Sequence, residues 1–342
     1  MSEIAIIGAG AWGTALSILL GRKEIHRVRL WAHEQDVCES IVRRRMNEKF
    51  LPGQIIPSGV TPFNDLAEAI EDAAIVVSVM PSQHCRKLFE RMRPHLAAET
   101  VIVSATKGLE EDSLLRMTEV IAQVIKSEHN PAPRIGALSG PSFAIEAARG
   151  DPTAIAIASQ DKELARSVQQ EFSHASFRLY TNEDPIGVEL GGALKNTVAI
   201  AAGVSAGLGL GHNSAAALIT RGLAEMTRLV VACGGKAETM AGLAGLGDLV
   251  LTCTGGLSRN RSVGFELGRG RKLTEILAGM HGMVAEGIFT TTAAVGLAHA
   301  RGVEMPITEQ MYAILHEGKA PREAIQELMT RSSKSETLNP QS

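Results

Sequence analysis

The chain lacks any large charge excess, any closely spaced cysteine pair and any long apolar run. It carries 34 Lys and Arg against 37 Asp and Glu, a formal net charge of −3. That balance gives no electrostatic grip on nucleic acid or an anionic membrane surface, so an anionic partner must be caught by a local cluster. The four cysteines, Cys38, Cys85, Cys233 and Cys253, form no C-x-x-C motif and no metal-ligand spacing, so four reduced thiols and no metal are expected. No stretch of roughly 20 apolar residues runs without Gly or a polar break, so no membrane insertion is expected. The opening MSEIAIIGAG reads as a strand almost at once, with no room for a charged leader and cleavage site. The expected compartment is the cytoplasm.

What remains is an ordinary globular composition, 45% hydrophobic and 21% charged over 342 residues. At about 150 residues per domain, that length favours two domains. Short β-branched runs at 4–7, 28–31, 75–79, 101–104, 135–138 and 153–158 alternate with helical patterns at 12–21, 36–45, 66–71, 82–92 and 114–126. Such alternation predicts a parallel, doubly wound sheet with helices on both faces, and 177–180 reads as one more strand closing it. After about Asp184 the strand-like runs stop. Gly, Ala and Leu at helical spacing then mark 186–204, 215–233, 263–267, 273–278, 290–300, 307–316 and 321–328. The expected organisation is a Rossmann-type α/β dinucleotide-binding domain over 1–185, an all-helical substrate and catalytic domain over 186–331, and a polar tail over 332–342. The small-residue stretch 186–204 can pack in the interior or across a homodimer interface; the pattern does not choose.

Gly8-Ala9-Gly10-Ala11-Trp12-Gly13 follows the first strand and opens the first helix, fitting G-x-G-x-x-G. Gly8 suits the tight turn, Gly10 the backbone approach to a pyrophosphate, and Gly13 close helix–strand packing. The anion is held by unpaired N–H groups at the helix N-terminus. An NAD enzyme usually carries an acid at the end of the second strand. Here the chain reads Leu30-Trp31-Ala32-His33-Glu34. His33 could meet a 2′-phosphate, with Arg27 or Arg29 raising the local potential, while Glu34 opposes. The reading leans to NADP(H) over NAD(H), against the plainer alternative that His33 is a solvated loop residue.

Further residues carry chemistry. Lys107 lies just past a buried strand, where open α/β sheets bind ligands. Leu138-Ser139-Gly140-Pro141-Ser142-Phe143-Ala144 ends another strand in a turn whose N–H and hydroxyl groups suit an anion or sugar edge. Lys195 sits among Gly, Ala, Leu and Val, and Asp248 is an isolated acid in Gly245-Leu246-Gly247-Asp248-Leu249. Burying either alone is costly, so their pairing would satisfy both. Ser258-Arg259-Asn260 at a loop-to-helix junction combines hydroxyl, guanidinium and amide with helix N–H groups, a cradle for phosphate. Each has a plainer reading: a snorkelling lysine, a helix cap, a surface arginine.

The segments GAGAWGTAL, SATKGLE, LSGPSFA, GGALKN, GLAGLGDL, GLSRNRSVG and MVAEGIFTT stand in an order and spacing that resembles the bacterial-type NAD(P)-dependent glycerol-3-phosphate dehydrogenases over nearly the whole chain. The resemblance implies interconversion of sn-glycerol 3-phosphate and dihydroxyacetone phosphate, which supplies phospholipid synthesis. It implies Lys195 as proton acceptor, and Lys107, Gly140, Ser142, Lys195, Asp248, Ser258, Arg259 and Asn260 as contacts to the phosphorylated substrate. It also implies Ala11, Trp12, His33, Lys107, Ala144, Arg259, Val284 and Glu286 as contacts to NADP or NAD; nothing in Val284 and Glu286 themselves suggests that role. The alternatives are a related dehydrogenase acting on another small hydroxy acid, and a non-catalytic dinucleotide sensor.

Overall fold

A computed structural model describes residues 2–126, 133–280, 285–333 and 335–336. Val284 and most of the expected tail lie outside them. The chain divides into two compact units, Met1–Glu189 and Leu190–Ser342.

The first unit runs β1 (Ser2–Ile7), α1 (Ala11–Gly21), β2 (His26–Trp31), α2 (Gln35–Arg44), β3 (Met46–Asn47), β4 (Leu51–Ile55), β5 (Val60–Phe63), α3 (Leu66–Ile70), β6 (Ile75–Ser78), α4 (Cys85–Met92), β7 (Val101–Ser104), α5 (Met117–Ile125), β8 (Ile135–Ser139), α6 (Ala144–Arg149), β9 (Thr153–Ala158), α7 (Lys162–Phe172) and β10 (Phe177–Asn182). Eight strands form one sheet in the order β10-β9-β8-β7-β6-β1-β2-β5. Alternation along β1 builds both cores. Ile4 and Ile6 join the cluster under α1, with Leu16 and Leu20, while Ala5 and Ile7 face Phe89 and Met117. Full burial of each large side chain contributes about 1.5–3 kcal/mol.

The expected all-parallel sheet needs one correction: β9 pairs antiparallel with β8, while β10 returns parallel to β9. Between β8 and β9 the chain offers only the six-residue α6, which packs against α1 and does not cross the sheet. Parallel neighbours need a full crossover connection. Strand β5 lies outside the expected strands and contains Pro62. Its place at the sheet edge explains the tolerance, since an edge strand can lack one ladder N–H. The short hairpin β3–β4 and helices α6 and α7 were likewise not expected; α7 is capped by Asp161, which accepts from the N–H groups of Glu163 and Leu164.

Helix α8 (Pro185–Gly207) carries the chain into the second unit. There follow α9 (His212–Ala232), α10 (Ala237–Met240), a π-helical turn (Leu243–Gly247), α11 (Asp248–Thr254), α12 (Arg259–Gly268), α13 (Leu273–Ala278), α14 (Glu286–Arg301), α15 (Pro306–His316) and α16 (Pro321–Thr330). Every described element after α8 is helical. The small residues of α8 pack in the interior: Val198 to Val204 are buried. Helix α12 crosses α8 almost backbone to backbone. A Cβ on Gly264 would lie 1.9 Å from the Ile200 carbonyl oxygen, and one on Gly203 2.0 Å from that of Arg261. Among the described residues no single helix is long and apolar enough to cross a membrane.

Candidate active site

In the first unit the strand order reverses about β1: β2 lies on one side and β6 on the other. Ligands of open α/β sheets bind at the carboxyl ends of the strands at such a switch point. The glycine loop occupies it. Gly8 has φ +122°, and a Cβ there would lie 2.3 Å from the Val79 carbonyl oxygen, just past β6. Gly13 sits so close beneath the turn that a Cβ would come within 1.8 Å of the Gly8 oxygen. The position a Cβ would take on Gly10 has nothing within 4 Å. The loop therefore closes tightly at both ends and opens in the middle, which fits a pyrophosphate entering at Gly10 over the start of α1. Ala11 and Trp12 form the first turn of α1, and the Trp12 ring meets Phe177 edge-on with centroids 6.4 Å apart.

His33 is exposed just past β2, with its ring tilted against Trp31 at 5.8 Å. Arg27 and Arg29 do not supply the cation expected there. Both pair with Glu3, and the Arg29 guanidinium also donates to the carbonyls of Glu68 and Glu71. A cation that does stand at this end of β2 is Lys49, whose Nζ lies 3.9 Å from Glu34 and 3.6 Å from Asp36. Sequence reasoning missed it because Lys49 belongs to the unexpected β3–β4 hairpin. Along the same sheet edge Lys107, past β7, donates to the Gly140 carbonyl at 3.1 Å. Ser142 donates to the same oxygen at 2.9 Å. Lys107, Gly140 and Ser142 thus form one cluster, and Ala144 opens α6 directly after it.

In the second unit Lys195 on α8 and Asp248 at the start of α11 are 6% and 1% exposed. Lys195 Nζ lies 2.7 Å from Asp248 Oδ1. It also donates to Thr252 Oγ1 at 2.7 Å, while the Thr252 hydroxyl donates back to the Asp248 carbonyl. Thr252 was missed, although its place four residues beyond Asp248 puts both on one helix face. The π-helical turn before α11 aims Asp248 inward; a Cβ on Gly191 of α8 would lie 2.7 Å from the carbonyl oxygen of Ala244 in that turn.

Ser258 caps α12, accepting from the Arg261 N–H at 3.2 Å, so its hydroxyl already serves the helix. Arg259 is exposed, yet desolvation by the protein around it pulls its guanidinium below the ordinary value, opposed by the Glu286 carboxylate. It stays charged at any working pH. Asn260 is tied on both sides: its Nδ2 donates to Asn196 Oδ1 at 2.9 Å, and its Oδ1 accepts from the Gly287 N–H at 3.0 Å. Helices α8, α12 and α14 meet at this one amide. Among the described residues no group of three or more His, Cys, Asp or Glu could hold a metal ion.

The profile of the NAD-dependent glycerol-3-phosphate dehydrogenase N-terminus matches residues 3–165, and that of the C-terminus residues 184–326. Glycerol-3-phosphate dehydrogenase [NAD(P)+] of Koribacter versatilis is 65% identical over 336 residues, covering 98% of this chain and 99% of that one. The enzyme of the same name from Acidobacterium capsulatum is 55% identical, covering 98% and 100%. The crystal structure of glycerol-3-phosphate dehydrogenase from Coxiella burnetii superposes with a TM-score of 0.92 at 42% identity, covering 96% of this chain and 99% of that one. Glycine loop, buried lysine–aspartate pair and capped arginine helix thus stand in a chain matched end to end, and the protein belongs to the NAD(P)-dependent glycerol-3-phosphate dehydrogenase family.

Proposed function

We propose that the protein interconverts sn-glycerol 3-phosphate and dihydroxyacetone phosphate with NAD(P)+ and NAD(P)H, and so supplies glycerol 3-phosphate for phospholipid synthesis in the cytoplasm. The observation that carries the catalytic assignment is the buried Lys195–Asp248 contact at 2.7 Å. An amine held there by a carboxylate and a hydroxyl is oriented to act on a single oxygen atom of the substrate.

A bound nicotinamide would supply the hydride acceptor for the carbinol carbon, or the hydride donor for the ketone carbon. The chain supplies everything else. In the oxidising direction Lys195 Nζ takes the proton of the alcohol; in the reducing direction its ammonium donates that proton to the ketone oxygen. Asp248 and Thr252 hold Nζ in place throughout. Arg259 binds the substrate phosphate as a fork, Asn260 adds an amide N–H, and Ser258 starts the helix whose N–H groups face the anion. Lys107, Gly140 and Ser142 bind the remaining polar edge of the substrate, Lys107 also reaching the cofactor. Gly8, Gly10, Ala11, Trp12 and Gly13 receive the pyrophosphate, with Ala144, Arg259 and Glu286 completing the dinucleotide contacts. Binding energy from the phosphate, remote from the reacting carbon, then orients that carbon for transfer.

We further propose a preference for NADP(H). Lys49 beside Glu34 and Asp36 offsets their charge next to His33, which favours a 2′-phosphate over an acid–ribose pairing. The deciding experiment follows NADPH oxidation with dihydroxyacetone phosphate, repeated with NADH, with unphosphorylated dihydroxyacetone and with small 2-oxo acids. Turnover confined to the phosphorylated ketone supports the proposal. Turnover of an oxo acid would move the protein to another dehydrogenase activity. Dinucleotide binding without any turnover would make it a sensor.

A further inference from the structure

Asn47 lies in the hairpin between α2 and β5, far in sequence from the glycine loop, yet it is 0% exposed and its amide is fully engaged. Its Nδ2 donates to the Ala9 carbonyl at 2.7 Å and to Thr14 Oγ1 at 2.8 Å. Its Oδ1 accepts from the Phe50 N–H at 3.1 Å. Thr14 Oγ1 also donates to the Ala9 carbonyl, at 3.2 Å, so that one oxygen receives two hydrogen bonds. The amide cannot be turned over. Exchanging its nitrogen and oxygen would set oxygen against the Ala9 oxygen and a donor against the Phe50 N–H.

We propose that Asn47 is the positioning residue of the dinucleotide loop, fixing the Ala9–Gly10 peptide so that the Gly10 N–H faces the cofactor pyrophosphate. The reading rests on the proposed dinucleotide binding. A trans peptide carries its N–H opposite its carbonyl, and among the described residues no peptide is cis. Holding the Ala9 oxygen toward Asn47 and Thr14 therefore turns the Gly10 N–H to the opposite side of the peptide, in a stretch of the loop where a Cβ on Gly10 would meet nothing within 4 Å. Gly-Ala-Gly has no side chain of its own to choose this orientation, and glycine lowers the resistance to the flipped peptide. Flipped, the loop would present a carbonyl to an anion instead of a donor. Two donors on one short side chain are required, which Asn supplies. Asp is acceptor-only when ionised, and would set a carboxylate against the Ala9 oxygen. The same side chain, through Phe50, holds the turn that carries Lys49.

The test is steady-state kinetics on purified Asn47→Asp and Thr14→Val, with thermal unfolding followed in parallel. For Asn47→Asp the KM for NADPH should rise at least tenfold, while kcat at saturating NADPH falls less than threefold and the KM for dihydroxyacetone phosphate changes less than twofold. Thr14→Val removes only one of the two donors to Ala9 and should show the same selectivity at about threefold; it carries the test if Asn47→Asp does not fold. A merely structural role would lower the melting temperature and the active fraction, hence kcat, while leaving the KM for NADPH unchanged. That outcome overturns the proposal, as does a KM for NADPH within twofold of wild type in both variants. Failure of the wild type to bind or oxidise either reduced dinucleotide is a distinct result, overturning the dinucleotide reading and this inference together.

Discussion

Lys195 and Asp248 lie 53 residues apart in sequence, and the buried ammonium of one meets the buried carboxylate of the other at 2.7 Å. A buried pair of this kind is weak evidence for stability, because desolvation opposes the Coulomb attraction. It is strong evidence for a placed charge. Lys195→Ala should lower kcat by about 100-fold or more, the usual loss on removing a positioned acid–base group. NADPH affinity, read by fluorescence titration, should stay near that of wild type. Because the substitution takes the cation from beside Asp248, unfolding free energy should fall by about 3–5 kcal/mol. Thr252→Val keeps the ion pair but removes the hydroxyl that accepts from Lys195 and donates to Asp248, so roughly tenfold in kcat is expected. Lys195→Ala activity within tenfold of wild type would refute the assignment.

Arg259 supplies the second prediction. A guanidinium bonds two phosphate oxygens in parallel, whereas lysine offers a point charge. Arg259→Lys should lower kcat/KM for dihydroxyacetone phosphate by about 1.5–3 kcal/mol, at least tenfold. The slow rate on unphosphorylated dihydroxyacetone should change much less. Equal losses on both substrates would place Arg259 with the cofactor and not the phosphate. Asn260→Ala differs in kind: it strips hydrogen bonds from both Asn196 and Gly287. Its effect should therefore appear in the melting temperature as well as in kcat/KM.

Cofactor choice gives the third. Lys49 is the cation nearest Glu34 and Asp36 at the end of β2. Lys49→Glu reverses a charge beside the expected 2′-phosphate and should lower kcat/KM for NADPH more than tenfold while changing that for NADH less than threefold. At an exposed site salt screens the effect, so the ratio should narrow as ionic strength rises. His33→Asp should move the preference the same way. If wild type strongly prefers NADH, the assignment of this corner to a 2′-phosphate fails.

The fourth concerns pH. Glu225 on α9 is buried, and its carboxylate accepts from the N–H groups of Ile307 and Thr308 at the start of α15. Burial pushes its carboxyl up from an ordinary 4.5 to about 7, with the Ile307 and Thr308 N–H groups and Arg228 pulling back. Between those values the folded protein holds a proton that the unfolded chain has lost, so stability falls as pH rises through the window. The full effect is about 3 kcal/mol. Burial raises the Glu189 carboxyl too, against the pull of Arg116, and contributes in the same sense. Chemical denaturation of Glu225→Gln at pH 5 and pH 7.5 should show a smaller loss on raising the pH than wild type. An unchanged slope would mean that Glu225 titrates as an ordinary acid.

Much of this architecture is legible in the sequence. Short, near-continuous runs of Val and Ile, each followed by a Gly or polar turn, mark the central strands because both faces of those strands must be buried. The loss of such runs after Asp184 marks the helical half for the same reason. The glycine loop was legible because glycines in it answer local steric demands, at Gly8 from its positive φ and the backbone just past β6, and at Gly13 from the turn above it. Lys195 and Asp248 could be paired on paper, since neither tolerates burial alone. Other features depended on what lies opposite. Strand β5 is a strand only because its edge position excuses Pro62, and β9 runs antiparallel only because α6 stays against α1. Thr252 joins Lys195 because α11 presents it one turn beyond Asp248, on the face that packs against α8. Arg27 and Arg29 leave the cofactor corner because Glu3 holds them, and Lys49 enters it because the hairpin folds there. Residues near in sequence declare themselves through periodicity and turn chemistry; the partner of a polar side chain distant in sequence is decided by packing, which brings to it the donor or acceptor that its burial requires.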